Sequence, residues 1–356
     1  MDEYLPILPT TVVGSYPVPE WMERLKTDYL RGRMSRAQLV DVHEMAIKAA
    51  LRDQELAGID IVSDGEMRRD NDIDYFLEKL PGVDIANRAK DFYFDYYDVS
   101  LTRPLPPSSA GEFTWLAEDF AFTASQTRRP IKFSLTGPFS LTSRIRNTAG
   151  VDQRELMMAI AHRLNEAAHA LADKGAKLLQ IDEPLLAGYP DQVEDTVAAI
   201  NVVTAGVDVS WALHVCYGNR YARPSWEGHY DFLFPAVLGA NVDQLVLEFA
   251  RKGYADLPVI EKFGWDRKIG LGVIDVKSHQ VETAEMVATR IRAALDLVPA
   301  EQLVINPDCG LRNVSASVAR AKLAAMVEGA ALARRSLEPV LVAEQAAAPD
   351  PITQGA

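Results

Sequence analysis

The chain has 356 residues, enough to bury a large core as one α/β domain of ordinary barrel size plus an insertion. Its 37 basic and 50 acidic side chains give a formal net charge of -13, which repels phosphate backbones and anionic lipid, so nucleic acid and membrane surfaces are excluded as partners. The start, Met1-Asp-Glu-Tyr-Leu-Pro6, has neither a basic segment nor an apolar stretch, no run of about 18 apolar residues occurs, and the two cysteines are too few for a disulfide framework, so a soluble, unexported, cytoplasmic protein is expected.

Short apolar or β-branched runs alternate with longer helix-period stretches, the pattern of βα units around a parallel sheet. In chain order, strands are predicted near Thr11 to Gly14, Asp60 to Ser63, Ile131 to Thr136, Lys177 to Ile181, Val209 to His214, Gln244 to Leu247, Lys268 to Ile274 and Gln302 to Ile305. That is the number a closed barrel needs, and the predicted fold is a single (β/α)8 TIM barrel spanning residues 1–340. The clearest helices are Ser35 to Ala57, Asp152 to Lys174, Glu282 to Leu297 and Ser315 to Arg335, with Ser35 and Thr283 as N-caps and Gly58 and Gly175 where helices should stop. The stretch 80–130 is rich in aromatics and prolines, including Phe92-Tyr-Phe-Asp-Tyr-Tyr97 and Pro104-Leu-Pro-Pro107, and reads as an insertion after strand 2 that forms a hairpin over the barrel mouth. Residues 341–356 lack apolar periodicity and are expected to be a disordered tail.

In such a barrel the working residues lie at the carboxyl ends of the strands. Those positions hold Ser15, Glu66, Gly137, Asp182 with Glu183, His214 with Cys216, Glu248, Asp275 and Cys309. In an extended segment alternate side chains share a face, so the imidazole and thiolate of His214-Val-Cys216 can meet one metal, with Cys309 and Glu248 arriving from other strand ends. Soft and borderline donors at about 2.0–2.3 Å suit tetrahedral zinc better than magnesium or calcium. The competing account of His214 and Cys216 is two ordinary buried residues of a core strand, with Cys309 a small hydrophobe. Glu66 and Asp182 border the same rim; they are either solvated or capping acids, or buried acids awaiting a cation such as a substrate ammonium. Ser15, after Gly14, can donate to the carboxylate of the same amino-acid ligand.

Seven ordered motifs extend this pattern: Val13-Gly-Ser-Tyr-Pro17, Asp64-Gly-Glu66 with Asp74-Tyr-Phe76, Leu135-Thr-Gly-Pro138, Gln180-Ile-Asp-Glu-Pro184, His214-Val-Cys216, Gly272-Val-Ile-Asp-Val276 and Asn306-Pro-Asp-Cys-Gly310. Together they resemble the motif series of the catalytic half of cobalamin-independent methionine synthase. The resemblance implies zinc bound by His214, Cys216, Glu248 and Cys309, homocysteine held by Ser15, Glu66 and Asp182, and transfer of a methyl group to sulfur. Two departures concern the donor: Arg144 stands about where the family has a pterin-stacking tryptophan, and Lys277 replaces a histidine that assists proton delivery.

The expected partners are therefore a small thiol, homocysteine first, and an alkyl donor, either a methylfolate or a corrinoid with its carrier protein. Asp275 or Lys277 is expected to orient or protonate the leaving group, and Arg144 either to meet a sulfonate, a folate tail or a corrinoid phosphate or to be a surface charge. Short members of the superfamily also include epoxyalkane:coenzyme M transferases, in which a zinc-bound thiol opens an epoxide. A decarboxylase on a related barrel and a barrel with a closed structural zinc are the remaining alternatives.

Overall fold

A computed structural model describes residues 5–87, 96–108 and 114–347. In chain order the elements are α1 (Glu20–Leu30), α2 (Arg36–Ala57), α3 (Asp74–Leu77), β1 (Val83–Asn87), β2 (Asp98–Leu101), α4 (Thr114–Gln126), β3 (Lys132–Thr136), α5 (Pro138–Ser143), β4 (Ile145–Asn147), α6 (Gln153–Asp173), β5 (Leu178–Asp182), α7 (Val193–Thr204), β6 (Ser210–Val215), β7 (Gln244–Leu247), α8 (Val259–Phe263), β8 (Lys268–Ile274), α9 (Ala284–Leu295), β9 (Leu303–Pro307) and α10 (Ala316–Ala347). Local chemistry sets several boundaries. Ser35 and Gln38 form a reciprocal capping box on α2, which stops at Gly58 with φ 90°; Asp152 and Thr283 cap α6 and α9.

Six strands pair in parallel in the order β3-β5-β6-β7-β8-β9. Single parallel bridges complete the circle: Ile305 to Thr10, Thr11 to Ile61, and Val62 to Ile131 beside β3. Thr11 N donates to Ile305 O at 2.8 Å, and Lys132 N to Val62 O at 2.9 Å. The first two barrel members are thus much shorter than the ladders predicted for them. Near the first bridge the Asp60 carboxylate takes the Thr10 amide at 2.8 Å, so that donor is spent on a side chain instead of a strand.

Alternation along the strands sorts the side chains. Leu179, Ile181, Leu213 and Leu245 join the main apolar cluster shared with the helices, whereas Val13, Ala212 and Val246 form a separate small cluster in the bore. Polar residues also enter the bore, and Gly270 makes room for them: a Cβ there would sit 2.6 Å from Asn306 Oδ1 and 2.8 Å from Gln244 Nε2.

The insertion is shorter than predicted. β1 and β2 form the expected antiparallel hairpin, and β2 pairs in parallel with β4, which ties it to the chain just after α5. Residues 114–126, however, are α4, which packs between α2 and α6 as an ordinary outer helix. Its aromatic content, Trp115, Phe120 and Phe122, masks the helical spacing of its buried Leu116, Ala117, Phe120 and Thr123. Phe92 to Asp95 of the aromatic run lie outside the described residues. The tail expectation also changes, because α10 continues to Ala347, through part of the segment expected to be disordered; 348–356 lie outside the described residues. Among the described residues no helix is long and apolar enough to cross a membrane.

Candidate active site

His214 lies on β6 and Cys216 directly follows its last residue, two positions on, while the turn after β9 brings Cys309 to them. One donor atom from each lies within 4.8 Å of the other two, and the sulfurs are 3.6 Å apart. His214 Nδ1 donates to Val246 O at 3.0 Å, which fixes the ring and turns Nε2 inward, where it is buried with no hydrogen-bond partner. The Cys216 hydrogen bond and burial hold the Cys309 thiol well above its ordinary pKa. As thiols the two sulfurs share a hydrogen bond, and as thiolates this close they would require a cation between them. An unspent imidazole lone pair facing two sulfurs is a donor set that fits zinc.

Glu248 is not among the donors that lie within 4.8 Å of one another. Its carboxylate, wholly buried, accepts Arg251 Nε at 2.7 Å on Oε1 and Lys277 Nζ at 2.6 Å on Oε2. The expectation of a fourth protein ligand thus meets a carboxylate already paired with two cations. Asp275 and Lys277, expected near a leaving group, do not line the cavity. The Asp275 carboxylate accepts the Lys277 amide at 2.8 Å within its own turn. Burial works against the Lys277 ammonium, but Glu248 and the two cysteine sulfurs outweigh it, so its pKa lies above the ordinary value.

Above the three donors opens a cavity of about 400 Å³ whose lining includes Ser15, Glu66, Arg144, Asp182, His214 and both cysteines. Glu66 has φ 57° and is buried; its Oε1 accepts Ser134 Oγ at 2.9 Å and lies 3.5 Å from the Arg69 guanidinium. Gly14 is required beside it, because a Cβ there would come within 3.2 Å of the Glu66 carboxyl carbon and closer still to Oε1. Asp182 accepts Gln180 Nε2 at 2.6 Å, and burial, only partly offset by His214, pushes its pKa up to about 7. Ser15 packs against Gly310, where any side chain would collide with its Oγ. Glu183, the other acid of that motif, points away from the cavity and anchors α5 through Phe139 N at 3.0 Å, Ser140 N at 2.8 Å and Ser140 Oγ at 2.6 Å.

Sequence reasoning missed several lining residues, among them Asp72, Tyr96, Arg220, Trp226 and Arg312. Arg312 had a usable signal, two residues past the Asp-Cys-Gly turn. It donates to Glu66 O, Arg69 O and Asp70 O at 3.2, 3.1 and 2.8 Å, locking the Glu66 loop to the Cys309 loop. Tyr96 and Arg220 lie on irregular segments with no period to betray them. The Arg144 guanidinium stacks 4.6 Å from the Tyr96 ring centroid, and Arg220 lies 5.6 Å from the same ring. One wall is therefore cationic and aromatic while the floor is acidic beside the sulfurs.

Comparison with known proteins agrees with this arrangement. Residues 8–332 match the family described as cobalamin-independent synthase, catalytic domain. A methionine synthase of Sulfurisphaera tokodaii is 34% identical over 342 residues, covering 95% of this chain and 96% of that protein. One from Saccharolobus solfataricus is 34% identical over 338 residues, covering 94% and 97%. Among solved structures, a B12-independent methionine synthase from Shewanella sp. W3-18-1 in complex with selenomethionine superposes with a TM-score of 0.81 at 30% identity, covering 94% of this chain and 100% of that one.

Proposed function

The chain belongs to the cobalamin-independent synthase catalytic-domain family, and on that premise we propose that it is a zinc-dependent methyltransferase that converts homocysteine to methionine. The observation that carries this reading is the convergence of His214, Cys216 and Cys309 within 4.8 Å at the floor of a cavity that also holds two buried acids. Selenomethionine, an analogue of the product, is the ligand named for the Shewanella relative, which supports an amino-acid thiol here.

His214, Cys216 and Cys309 would hold zinc, and the chemistry the ion supplies when bound is deprotonation of a coordinated thiol at neutral pH. Glu66 and Asp182 hold the substrate ammonium, which offsets the desolvation that raises Asp182. The Ser15 hydroxyl donates to the substrate carboxylate. With both ends of the amino acid fixed, its thiol has one direction to point, toward the sulfurs, and positioning supplies much of the rate. The thiol proton leaves to solvent through the open cavity. The methyl donor, a methylfolate or a methylcorrinoid, sits against Arg144 and Tyr96, whose charge and ring suit an anionic group beside a flat one. A cytoplasmic setting suits the free thiols of Cys216 and Cys309.

The test is a thiol competition on zinc-loaded protein, homocysteine against coenzyme M, read by calorimetry and by the absorption of the cobalt-substituted form. Homocysteine is expected to bind and coenzyme M to bind at least tenfold more weakly, since its sulfonate would face Glu66 and Asp182. Preference for coenzyme M would replace the methyltransferase reading with epoxide opening, and no new thiolate band with either would indicate a closed structural zinc.

A further inference from the structure

Below the cavity floor the bore of the barrel is polar, where branched apolar side chains ordinarily fill it. Lys132 of β3, Gln180 of β5, Gln244 of β7 and Asn306 of β9 turn into it, none of them more than 6% exposed. Among the described residues four of their buried atoms have no hydrogen-bond partner: Lys132 Nζ, Gln180 Oε1, Gln244 Nε2 and Asn306 Oδ1. The inward residues of the strands between, Ala212 of β6 and Gly270 of β8, are small and leave space beside these groups. Buried polar atoms facing one such space are the setting in which internal water binds.

Gln180 connects this layer to the site. Its Nε2 donates to Asp182 Oδ1 at 2.6 Å and to Val13 O at 2.8 Å, so one amide joins the end of β5 to the segment that leads into Gly14 and Ser15. Both partners are acceptors, so the nitrogen must face them and Oε1 must find its donor in the bore. A reversed amide would set Oε1 against a carboxylate and a carbonyl. Lys132 is placed to supply the donor. Ser134 pairs with Gln180 and Lys132 with Leu178, which makes Lys132 the diagonal neighbour of Gln180 on the same face. Burial pulls the Lys132 pKa down to about 7 while Asp182 holds it up, and in either protonation state the nitrogen keeps N–H groups to give.

We propose that Lys132, Gln180, Gln244 and Asn306 bind a cluster of internal water, and that Lys132 through this water holds the Gln180 amide in the orientation that fixes Asp182 against residues 13–15. Lys132 and Gln180 are thus positioning residues for the amino-acid substrate, acting from beneath the floor. The inference rests on the reading that Asp182 takes the substrate ammonium and Ser15 its carboxylate.

The test uses the zinc-loaded full chain, with homocysteine affinity measured by calorimetry, Zn2+ affinity by chelator competition and the methyl-donor KM by steady-state kinetics. Lys132→Met and Gln180→Met are each expected to weaken homocysteine by about tenfold or more, with Zn2+ affinity and donor KM within about threefold of the parent. Because both act through one amide, the double variant is expected to lie within about twofold of the weaker single variant. A general loosening of the barrel would move all three quantities together, and its losses would add; either result overturns the proposal, as does unchanged homocysteine affinity in Lys132→Met. Should the variants not fold, a crystal structure of the parent decides. A chain of ordered water from Lys132 Nζ to Gln180 Oε1, with links of about 2.7–3.2 Å, is expected, and a dry bore overturns the proposal whatever the protein binds. If the parent binds neither homocysteine nor methionine, it is the substrate reading that fails, and the same crystal structure still judges the water.

Discussion

Gly14→Ala tests the substrate side of the site without replacing a charged group. The added methyl carbon would sit 3.2 Å from the Glu66 carboxyl carbon and closer to Oε1, inside the ~3.5–4.0 Å at which heavy atoms rest comfortably. The carboxylate must therefore retreat by about 1 Å, and it is not free to do so cheaply because Ser134 Oγ and Arg69 hold the same oxygen. Overpacking of this kind costs about 1–3 kcal/mol of stability. A 1 Å displacement of a positioning group costs on the order of 100-fold in function. We expect the homocysteine KM to rise by about 10- to 100-fold, with zinc affinity unchanged because the three metal donors come from other loops. Pairing it with Glu66→Asp, which withdraws the carboxylate by one methylene, should restore thermal stability and part of the homocysteine affinity. Steady-state kinetics, calorimetric titration and thermal melts on Gly14→Ala, Glu66→Asp and the double variant provide the readout. Homocysteine binding unchanged in Gly14→Ala would refute the assignment of Glu66 to the substrate ammonium.

Arg144→Met should raise the KM for the methyl donor about tenfold, the worth of one charged hydrogen bond, while leaving the homocysteine KM within about twofold; equal effects on both would place Arg144 outside the donor wall. Lys322→Met leaves the buried Glu282 with the Asp275 amide at 2.8 Å and Arg290 at 3.6 Å and frees the turn that bears Lys277, so a stability loss of about 3–5 kcal/mol is expected in chemical denaturation, and a loss under about 1 kcal/mol would remove Lys322 from that role. Burial, reinforced by Lys26 and Arg68, lowers the His43 pKa to about 3 from 6.5. The unfolded chain then binds a proton below pH 6.5 that the folded chain refuses until about pH 3, so stability is fully present above pH 6.5 and falls as pH drops, by ~1.4 kcal/mol per unit. His43→Leu should therefore shrink the stability lost between pH 7 and pH 5 by about 2 kcal/mol, and an unchanged slope would show that His43 is not the group responsible.

The periodic elements were legible because their cause is local. Alternation in Leu178–Asp182 and Ser210–Val215 sends apolar residues outward and Gln180, Asp182 and His214 inward, and the Ser35–Gln38 box can be read from four letters. The same logic aligned His214 with Cys216, and the rule that parallel strands end on one rim brought Cys309 to them across 93 residues. α4 escaped because its spacing is hidden among aromatics, and the first two strands were drawn too long because a side chain, Asp60, takes a backbone donor that a ladder would need.

What the chain order alone determines here is the barrel and the three soft donors, since strand period and strand polarity dictate which side chains share a face. The partners of each charge were decided only in three dimensions. Glu248, Arg251 and Lys277 stand at separate positions in the sequence, and nothing local says that this carboxylate will be buried between those two cations. That pairing depends on burial and distance, which exist only once the loops have closed over the rim.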